Sequence, residues 1–245
     1  MSELAKINAC AKRPIDIWTN YIYYPLSIRL VYLIRNTRIK PNEITLFSMF
    51  LCLVGCVGFA VGVRSYVVAG LVLVQVSYVF DCADGQLARY KQEFSPIGGW
   101  LDQVSDRIKE FAIYFSLAYG YTRFHDRDLT VWKWAVIALF SLYLLEYYGQ
   151  IHFKPRALAA TADGASLTST TSTEAEPVSG FGRAQRLRSF VPFRGFIIGE
   201  QYFAMLVFVA CNAIVPLFRF VAIVGLLMCV YRPAVQYYKW SRGYR

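Results

Sequence analysis

Residues 81–106 read DCADGQLARYKQEFSPIGGWLDQVSD and decide the fold, because they join two apolar segments and carry four aspartates. On each side of Pro96, small and polar residues recur every three or four positions, which is the spacing of one helix face. They are Asp81, Asp84, Gly85, Ala88 and Arg89 before the proline, and Gly98, Asp102 and Asp106 after it. Because the connection is short, we predict two antiparallel neighbouring helices with all four carboxylates in one cleft.

Four clustered carboxylates in a poorly hydrated cleft repel one another unless cations neutralise them. Carboxylate oxygens prefer hard divalent ions such as Mg²⁺, Mn²⁺ or Ca²⁺, and two such ions would balance four carboxylates. A pair of ions suits phosphoryl transfer, in which metals neutralise phosphate oxygens. Gly85, Ala88 and Gly98 would admit a substrate close to the backbone, and Arg89 could pair with a phosphate. The pattern therefore predicts a metal-dependent site for a phosphorylated substrate.

The composition is typical of a membrane protein. Of the 245 residues, 56% are hydrophobic and 17% are charged, whereas about 25% are charged in a soluble domain. Six apolar segments have about the length that crosses a bilayer. They are predicted at 43–63, 66–90, 98–121, 130–152, 195–212 and 214–239. We therefore expect an all-α, polytopic membrane protein with six transmembrane helices, and we assign its net charge of +10 to lipid or substrate and not to nucleic acid.

The N-terminal segment has a different character. Residues 13–38 are aromatic but are interrupted by four arginines, which is too much charge for a span. We predict an interfacial amphipathic helix that Pro25 breaks or bends. The first span then starts after Lys40, with Asn42 as its predicted N-cap.

These segments divide the chain into two regions. Residues 1–40 are predicted to form an N-terminal cytoplasmic and interfacial segment, and residues 41–245 a six-helix membrane catalytic domain. Within that domain, the Ser/Thr-rich residues 157–180 are predicted to form a flexible cytoplasmic loop. With six spans, both termini and the connection after Arg89 lie on the same side as most of the 26 lysines and arginines. Because positively charged loops face the cytoplasm, we expect the termini and the aspartate cleft to be cytoplasmic.

Residues 81–106 resemble the signature of the CDP-alcohol phosphotransferase (CDP-alcohol phosphatidyltransferase) family, D-x2-D-G-x2-A-R-x8-G-x3-D-x3-D, at every fixed position. The start of the first span, Pro41-Asn42-x-Ile44-Thr45, is similar to that family as well. The resemblance implies two bound Mg²⁺ or Mn²⁺ ions, with Asp106 also acting as general base on the acceptor hydroxyl. The metal ligands that it implies are Asp81, Asp84, Asp102 and Asp106. The residues that it implies for binding the cytidine diphosphate are Gly85, Ala88, Arg89 and Gly98.

The resemblance also implies an activity. The enzyme would move a phosphoalcohol or phosphatidyl group from a CDP-linked donor to a hydroxyl acceptor and release CMP, with phospholipid synthesis as the expected pathway. Donors in the family include CDP-diacylglycerol and soluble CDP-alcohols, and members are usually homodimers. Arg13-Pro14 and the arginines before the fifth span look most like members that act on phosphorylated polyols, inositol phosphate especially. Two other classes stay open: a non-catalytic transporter or scaffold, and a lipid-diphosphate phosphatase, which would need no acceptor alcohol.

Several polar residues near the cleft have two interpretations. Arg107 and Lys109 are either helix-end charges near lipid headgroups or contacts to substrate phosphate. Glu200 and Gln201 are either interfacial polar residues or contacts to the acceptor alcohol. A cluster of arginines before the fifth span is either positive-inside charge or a site for an acceptor phosphate or anionic lipid. Its members are Arg183, Arg186, Arg188 and Arg194.

Overall fold

The computed structural model describes residues 2–11, 16–125, 129–150, 196 and 198–241, and every regular element in these ranges is a helix. The first are α1 (Glu3–Ala9), a π-helical turn (Thr19–Tyr23), α2 (Tyr24–Ile34) and α3 (Pro41–Val61). The others are α4 (Arg64–Lys91), α5 (Pro96–Phe124), α6 (Thr130–Gln150), α7 (Ile198–Ala210) and α8 (Ile214–Ser241). The all-α prediction is confirmed for these ranges. The predicted loop at 157–180 and the arginine cluster lie outside the described residues.

Three helices among the described residues are long and apolar enough to cross a membrane: α3, α4 and Ile214–Tyr238 of α8. Helices α3 to α8 coincide with the six predicted segments to within a few residues. However, α5 carries several charges in its first half, and the 13 residues of α7 rise only about 20 Å, less than the roughly 30 Å of a hydrocarbon core. The three spans are consistent with an integral membrane protein.

The start of α3 differs from the prediction. Its N-cap is Lys40 and not Asn42, because Pro41 occupies the first helical position, where a fixed φ and a missing N–H are tolerated. The Glu43 carboxylate accepts a hydrogen bond from the backbone N–H of Lys40 at 3.0 Å. Asn42 therefore lies inside the first turn, where its side chain reaches α5: a Cβ added to Gly98 would lie 2.7 Å from Asn42 Oδ1.

The connection between α4 and α5 is short because both helices are capped there. Gln92 ends α4 with a φ of 57°, and the backbone N–H of Glu93 donates to the Ala88 carbonyl at 3.0 Å. Ser95 starts α5, since its Oγ accepts a hydrogen bond from the backbone N–H of Gly98 at 2.9 Å. These two caps keep the connection short, so the aspartates of α4 and α5 lie at the ends of the helices that face each other across it.

Helix α3 packs against both α4 and α5, whereas α4 and α5 have little direct backbone contact. Helices α4 and α5 instead meet through side chains, because carboxylates of both helices converge. Small residues allow the close backbone contacts that α3 makes with each of them. A Cβ on Gly55 would lie 2.8 Å from the Gly70 carbonyl of α4, and a Cβ on Gly120 of α5 would overlap the Phe59 carbonyl of α3. Close packing on α3 thus positions both helices, and the aspartates of α4 and α5 face each other.

The N-terminal segment packs onto α4 and α7. The Trp18 ring stacks on Phe203 with 3.4 Å between ring centroids, and the Thr19 hydroxyl is 3.0 Å from the Tyr78 hydroxyl. Pro25 lies in the first turn of α2, directly after the π-helical turn. Since proline is tolerated in a first turn, the segment stays helical on both sides of it. Tyr78 lies three residues before Asp81, so the segment supports α4 close to the aspartates.

Candidate active site

Three of the four predicted aspartates come together. Asp81 on α4 and Asp102 and Asp106 on α5 each offer a carboxylate oxygen, and these oxygens all lie within 4.8 Å of one another. Asp102 and Asp106 are one helical turn apart, so their side chains point the same way towards α4. We call these three residues the aspartate cluster. Helical spacing put each carboxylate on the correct face, and the packing of both helices on α3 placed the faces opposite each other.

The fourth aspartate, Asp84, is held by α3. Its side chain is buried, with 6% of its surface exposed, and its Oδ2 accepts a hydrogen bond from the Thr45 hydroxyl at 2.5 Å. Thr45 is buried as well. Asp84 lies one turn after Asp81 on α4, so it borders the aspartate cluster with its orientation set by α3.

Lys109 lies among the aspartates. It is only 1% exposed, and its ammonium forms an ion pair with Asp81 and a second with Asp106 Oδ1 at 2.9 Å. The interpretation of Lys109 as a helix-end charge near lipid headgroups is therefore wrong. Arg107 points elsewhere: its guanidinium pairs with Glu110 Oε2 at 2.5 Å.

The residues predicted to bind the nucleotide line the α4 side and the α4–α5 connection. The Arg89 guanidinium lies over Gly85, where an added Cβ would be 3.4 Å from one of its terminal nitrogens. Arg89 Nε also donates to the Cys10 carbonyl at 2.5 Å, so α1 borders this part of the site. Ala88 is half-buried, one residue before Arg89. Gly98 lies across the connection against Asn42, where no side chain would fit without displacing that amide.

A pocket opens beside Asp106, between α5, α7 and α8. Its polar lining comes from Asp106, Arg107, Glu110 and Gln201, and the rest of its wall is apolar or aromatic. The other lining residues are Ile113, Tyr114, Leu117, Ile198, Tyr202, Met205 and Leu217. Gln201 therefore faces the same space as Asp106. Glu200, next to it, is buried, with 2% of its surface exposed, so the interpretation of Glu200 as an exposed interfacial residue is wrong.

The donor atoms of the aspartate cluster fit a divalent metal ion. All three are carboxylate oxygens, the ligand type that Mg²⁺ and Mn²⁺ prefer over the nitrogen and sulfur ligands common at zinc sites. Asp106 belongs to the cluster and also borders the pocket, so one carboxylate faces both the candidate metal site and the pocket. Such an arrangement can hold a phosphorylated substrate and remove a proton from a hydroxyl group that enters the pocket.

Some of these contacts could not be recognised in the sequence. Thr45 begins an apolar span and gives no sign that it bonds Asp84, which follows 39 positions later. Tyr202 lines the pocket only because α7 lies beside α5 there, whereas its neighbour Gln201 was already a predicted candidate for contacting the acceptor. Lys109 offered one signal, a lysine inside a predicted span, because such a charge is costly unless it has a partner.

A model of the CDP-alcohol phosphatidyltransferase family matches residues 38–169 of the chain. The archaetidylinositol phosphate synthase of Pyrococcus horikoshii is 26% identical over 144 residues, which cover 59% of this chain and 65% of that protein. A bifunctional IPC transferase and DIPP synthase of Archaeoglobus fulgidus is 31% identical over 118 residues, which cover 48% of this chain and 21% of that protein. The chain thus spans less than two thirds of the length of these relatives.

Solved structures share the fold. The phosphatidylinositol phosphate synthase of Mycobacterium tuberculosis with CDP-DAG bound superposes with a TM-score of 0.55 at 18% identity, covering 87% of this chain and 92% of that one. The same enzyme in complex with manganese and citrate gives a TM-score of 0.52 at 22% identity, covering 87% of this chain and 88% of that one. The overall helical fold therefore recurs in these proteins.

Proposed function

Because this chain belongs to the CDP-alcohol phosphatidyltransferase family, we propose that it transfers a phosphoalcohol or phosphatidyl group from a CDP-linked donor to a hydroxyl acceptor and releases CMP. One observation of the structure carries the proposal: three carboxylates converge within 4.8 Å, and one of them, Asp106, borders a pocket. In the reaction, the acceptor oxygen bonds to the phosphorus distal to cytidine, and the bond from that phosphorus to the CMP oxygen breaks.

The residues have separate tasks in this proposal. Asp106 takes the proton of the acceptor hydroxyl as its oxygen attacks, which the opening of the pocket beside this carboxylate supports. Asp81, Asp84, Asp102 and Asp106 would hold two Mg²⁺ or Mn²⁺ ions, which when bound neutralise the phosphate oxygens. Thr45 keeps Asp84 oriented through its hydrogen bond.

The nucleotide side of the site uses small residues and one cation. Gly85, Ala88 and Gly98 leave the backbone accessible to the cytidine diphosphate, and Arg89 pairs with a phosphate oxygen. The position of the Arg89 guanidinium over Gly85 supports this assignment, since both face the same space.

For the acceptor we propose a phosphorylated polyol of the inositol phosphate type, with CDP-diacylglycerol or a related CDP-linked lipid as donor. The names of the relatives support this choice, since one is an archaetidylinositol phosphate synthase and another is a phosphatidylinositol phosphate synthase with CDP-DAG bound. The reaction then belongs to phospholipid biosynthesis.

We further propose that residues 41–245 form one membrane domain with six spans, preceded by an interfacial segment at 1–40. The coincidence of α3 to α8 with the six predicted segments supports this topology. Both termini and the site then face the cytoplasm, in keeping with the distribution of lysines and arginines. A homodimer is the proposed assembly, on the family resemblance.

A CMP-release assay tests the proposed reaction. Purified protein with Mn²⁺ receives CDP-diacylglycerol or a soluble CDP-alcohol, together with inositol phosphate, glycerol phosphate or inositol, and mass spectrometry identifies the lipid product. We expect CMP only when an acceptor is present. The Asp106→Asn variant should lose about 10³-fold in rate, whereas Glu93→Gln, an exposed carboxylate in the α4–α5 connection, should keep the wild-type rate.

Two results would contradict the proposal. Release of CMP or phosphate without any acceptor would identify a phosphatase. If no donor in the panel yields CMP, the remaining interpretation is a transporter or scaffold.

A further inference from the structure

Lys109 is a buried cation with contacts on two helices. It lies on α5, three residues after Asp106, and its ammonium pairs with Asp106 at 2.9 Å and with Asp81 of α4. With 1% of its surface exposed, it has no access to bulk water or to a headgroup. A buried ammonium is costly unless it is paired, so the two carboxylates are the reason that a lysine is tolerated at this position.

One of the two ion pairs joins two helices. The pair with Asp106 lies within α5, whereas the pair with Asp81 connects α5 to α4. Helices α4 and α5 both pack on α3 and have little close backbone contact with each other. The Lys109 ammonium therefore links Asp81 to Asp106 by side-chain contacts between the two helices.

The other cations near the site have different partners. Arg107 pairs with Glu110, and Arg89 bonds the Cys10 carbonyl. Among the ion pairs of the described residues, those of Lys109 are the ones that involve the aspartate cluster. The cluster has three carboxylates, and one ammonium reduces its formal charge from −3 to −2.

We propose that Lys109 is a positioning residue that competes with divalent cations for the oxygens of Asp81 and Asp106 and so weakens metal binding at the cluster. The proposal rests on the proposed function, which makes this cluster the metal site. An ammonium and a divalent cation repel each other strongly when they share one buried carboxylate. Lys109 thus lowers the metal affinity of the cluster, but it keeps the carboxylates in place when the metal site is not fully occupied.

Binding of Mn²⁺ to purified protein in detergent, followed by the electron paramagnetic resonance signal of free Mn²⁺, tests the competition without any catalytic assay. Lys109→Met removes the charge and keeps the length of the side chain, and Lys109→Arg keeps the charge. We expect Lys109→Met to bind Mn²⁺ about tenfold or more tightly than the wild type, and Lys109→Arg, which keeps the positive charge, to bind it less tightly than Lys109→Met does. Lys133→Met, at an exposed lysine of α6, is the matched control and should bind as the wild type does.

Thermal unfolding adds a second readout. With a chelator present, Lys109→Met should unfold at a lower temperature than the wild type, because three carboxylates lose their counterion, and Mn²⁺ should raise its unfolding temperature more than it raises that of the wild type. If Lys109→Met folds only with Mn²⁺, its Mn²⁺ affinity can be measured on the Mn²⁺-loaded protein by adding a chelator that competes for the ion.

The outcomes separate the two proposals. If the wild type binds Mn²⁺ and Lys109→Met binds it no more tightly, the role of Lys109 is refuted while the metal site stands. If neither protein binds Mn²⁺, the metal site of the proposed function is refuted, and the role of Lys109 with it. Tighter binding by Lys109→Met but not by Lys133→Met supports the proposal.

Discussion

Replacing Thr45 with valine should destabilise the protein through Asp84. Valine has nearly the shape of threonine, so the change removes one hydroxyl and leaves the packing of α3 against α4 in place. The lost bond is the 2.5 Å contact to Asp84 Oδ2. The other contact of the hydroxyl, to the Pro41 carbonyl, is longer at 3.3 Å. The variant therefore leaves a buried carboxylate oxygen without its donor.

The size of the effect follows from the environment. Thr45 and Asp84 are 4% and 6% exposed, so water cannot replace the hydroxyl without rearrangement. A hydrogen bond to a charged group contributes about 1.5–3 kcal/mol, and an unsatisfied buried group costs a similar amount. We expect Thr45→Val to lower the free energy of unfolding by about 2 kcal/mol, a change of roughly 30-fold in the unfolding equilibrium.

Unfolding in mixed detergent micelles, followed by circular dichroism, measures this difference. Thr45→Ser keeps the hydroxyl and should lose much less stability. Thr122→Val is the matched control, because the Thr122 hydroxyl bonds carbonyls of its own helix, Ala118 and Tyr119, and should change stability by less than about 0.5 kcal/mol. If Thr45→Val is as stable as Thr122→Val, the hydroxyl does not support Asp84 and the reasoning is refuted.

Three further predictions concern the glycines and the metal. Gly98→Ala would place a Cβ 2.7 Å from Asn42 Oδ1, whereas a Cβ on Gly99 would have no atom within 4 Å. In CMP-release kinetics, Gly98→Ala should raise the KM for the CDP-linked donor about tenfold, and Gly99→Ala should leave it unchanged. Gly120→Ala would force a Cβ into the Phe59 carbonyl and should cost about 2 kcal/mol or more of stability in the same micelle assay; wild-type stability would show that α3 and α5 can separate without cost. Chelation with EDTA should abolish CMP release, and Mg²⁺ or Mn²⁺ should restore it; activity that survives EDTA would contradict a metal-dependent reaction.

The helices themselves could be predicted because their signals are local. The apolar runs depend on a few neighbouring residues, and α3 to α8 lie where the runs indicated. The wrong prediction of Asn42 as the N-cap of α3 also has a local cause. Pro41 occupies the first helical position, which makes the preceding residue, Lys40, the N-cap. Helical periodicity also put Asp102 and Asp106 on one face of α5 without any knowledge of the fold.

By itself, the sequence determined which carboxylates share a helix face and that they require a cation, because spacing and charge are properties of a single segment. The tertiary structure alone decided how those faces meet. Helix α3 lies against both α4 and α5, Thr45 orients Asp84, and Lys109 joins Asp81 to Asp106. Such contacts depend on the rotation and depth of each helix in the bundle. Close packing at small residues sets both, and no local sequence pattern encodes them.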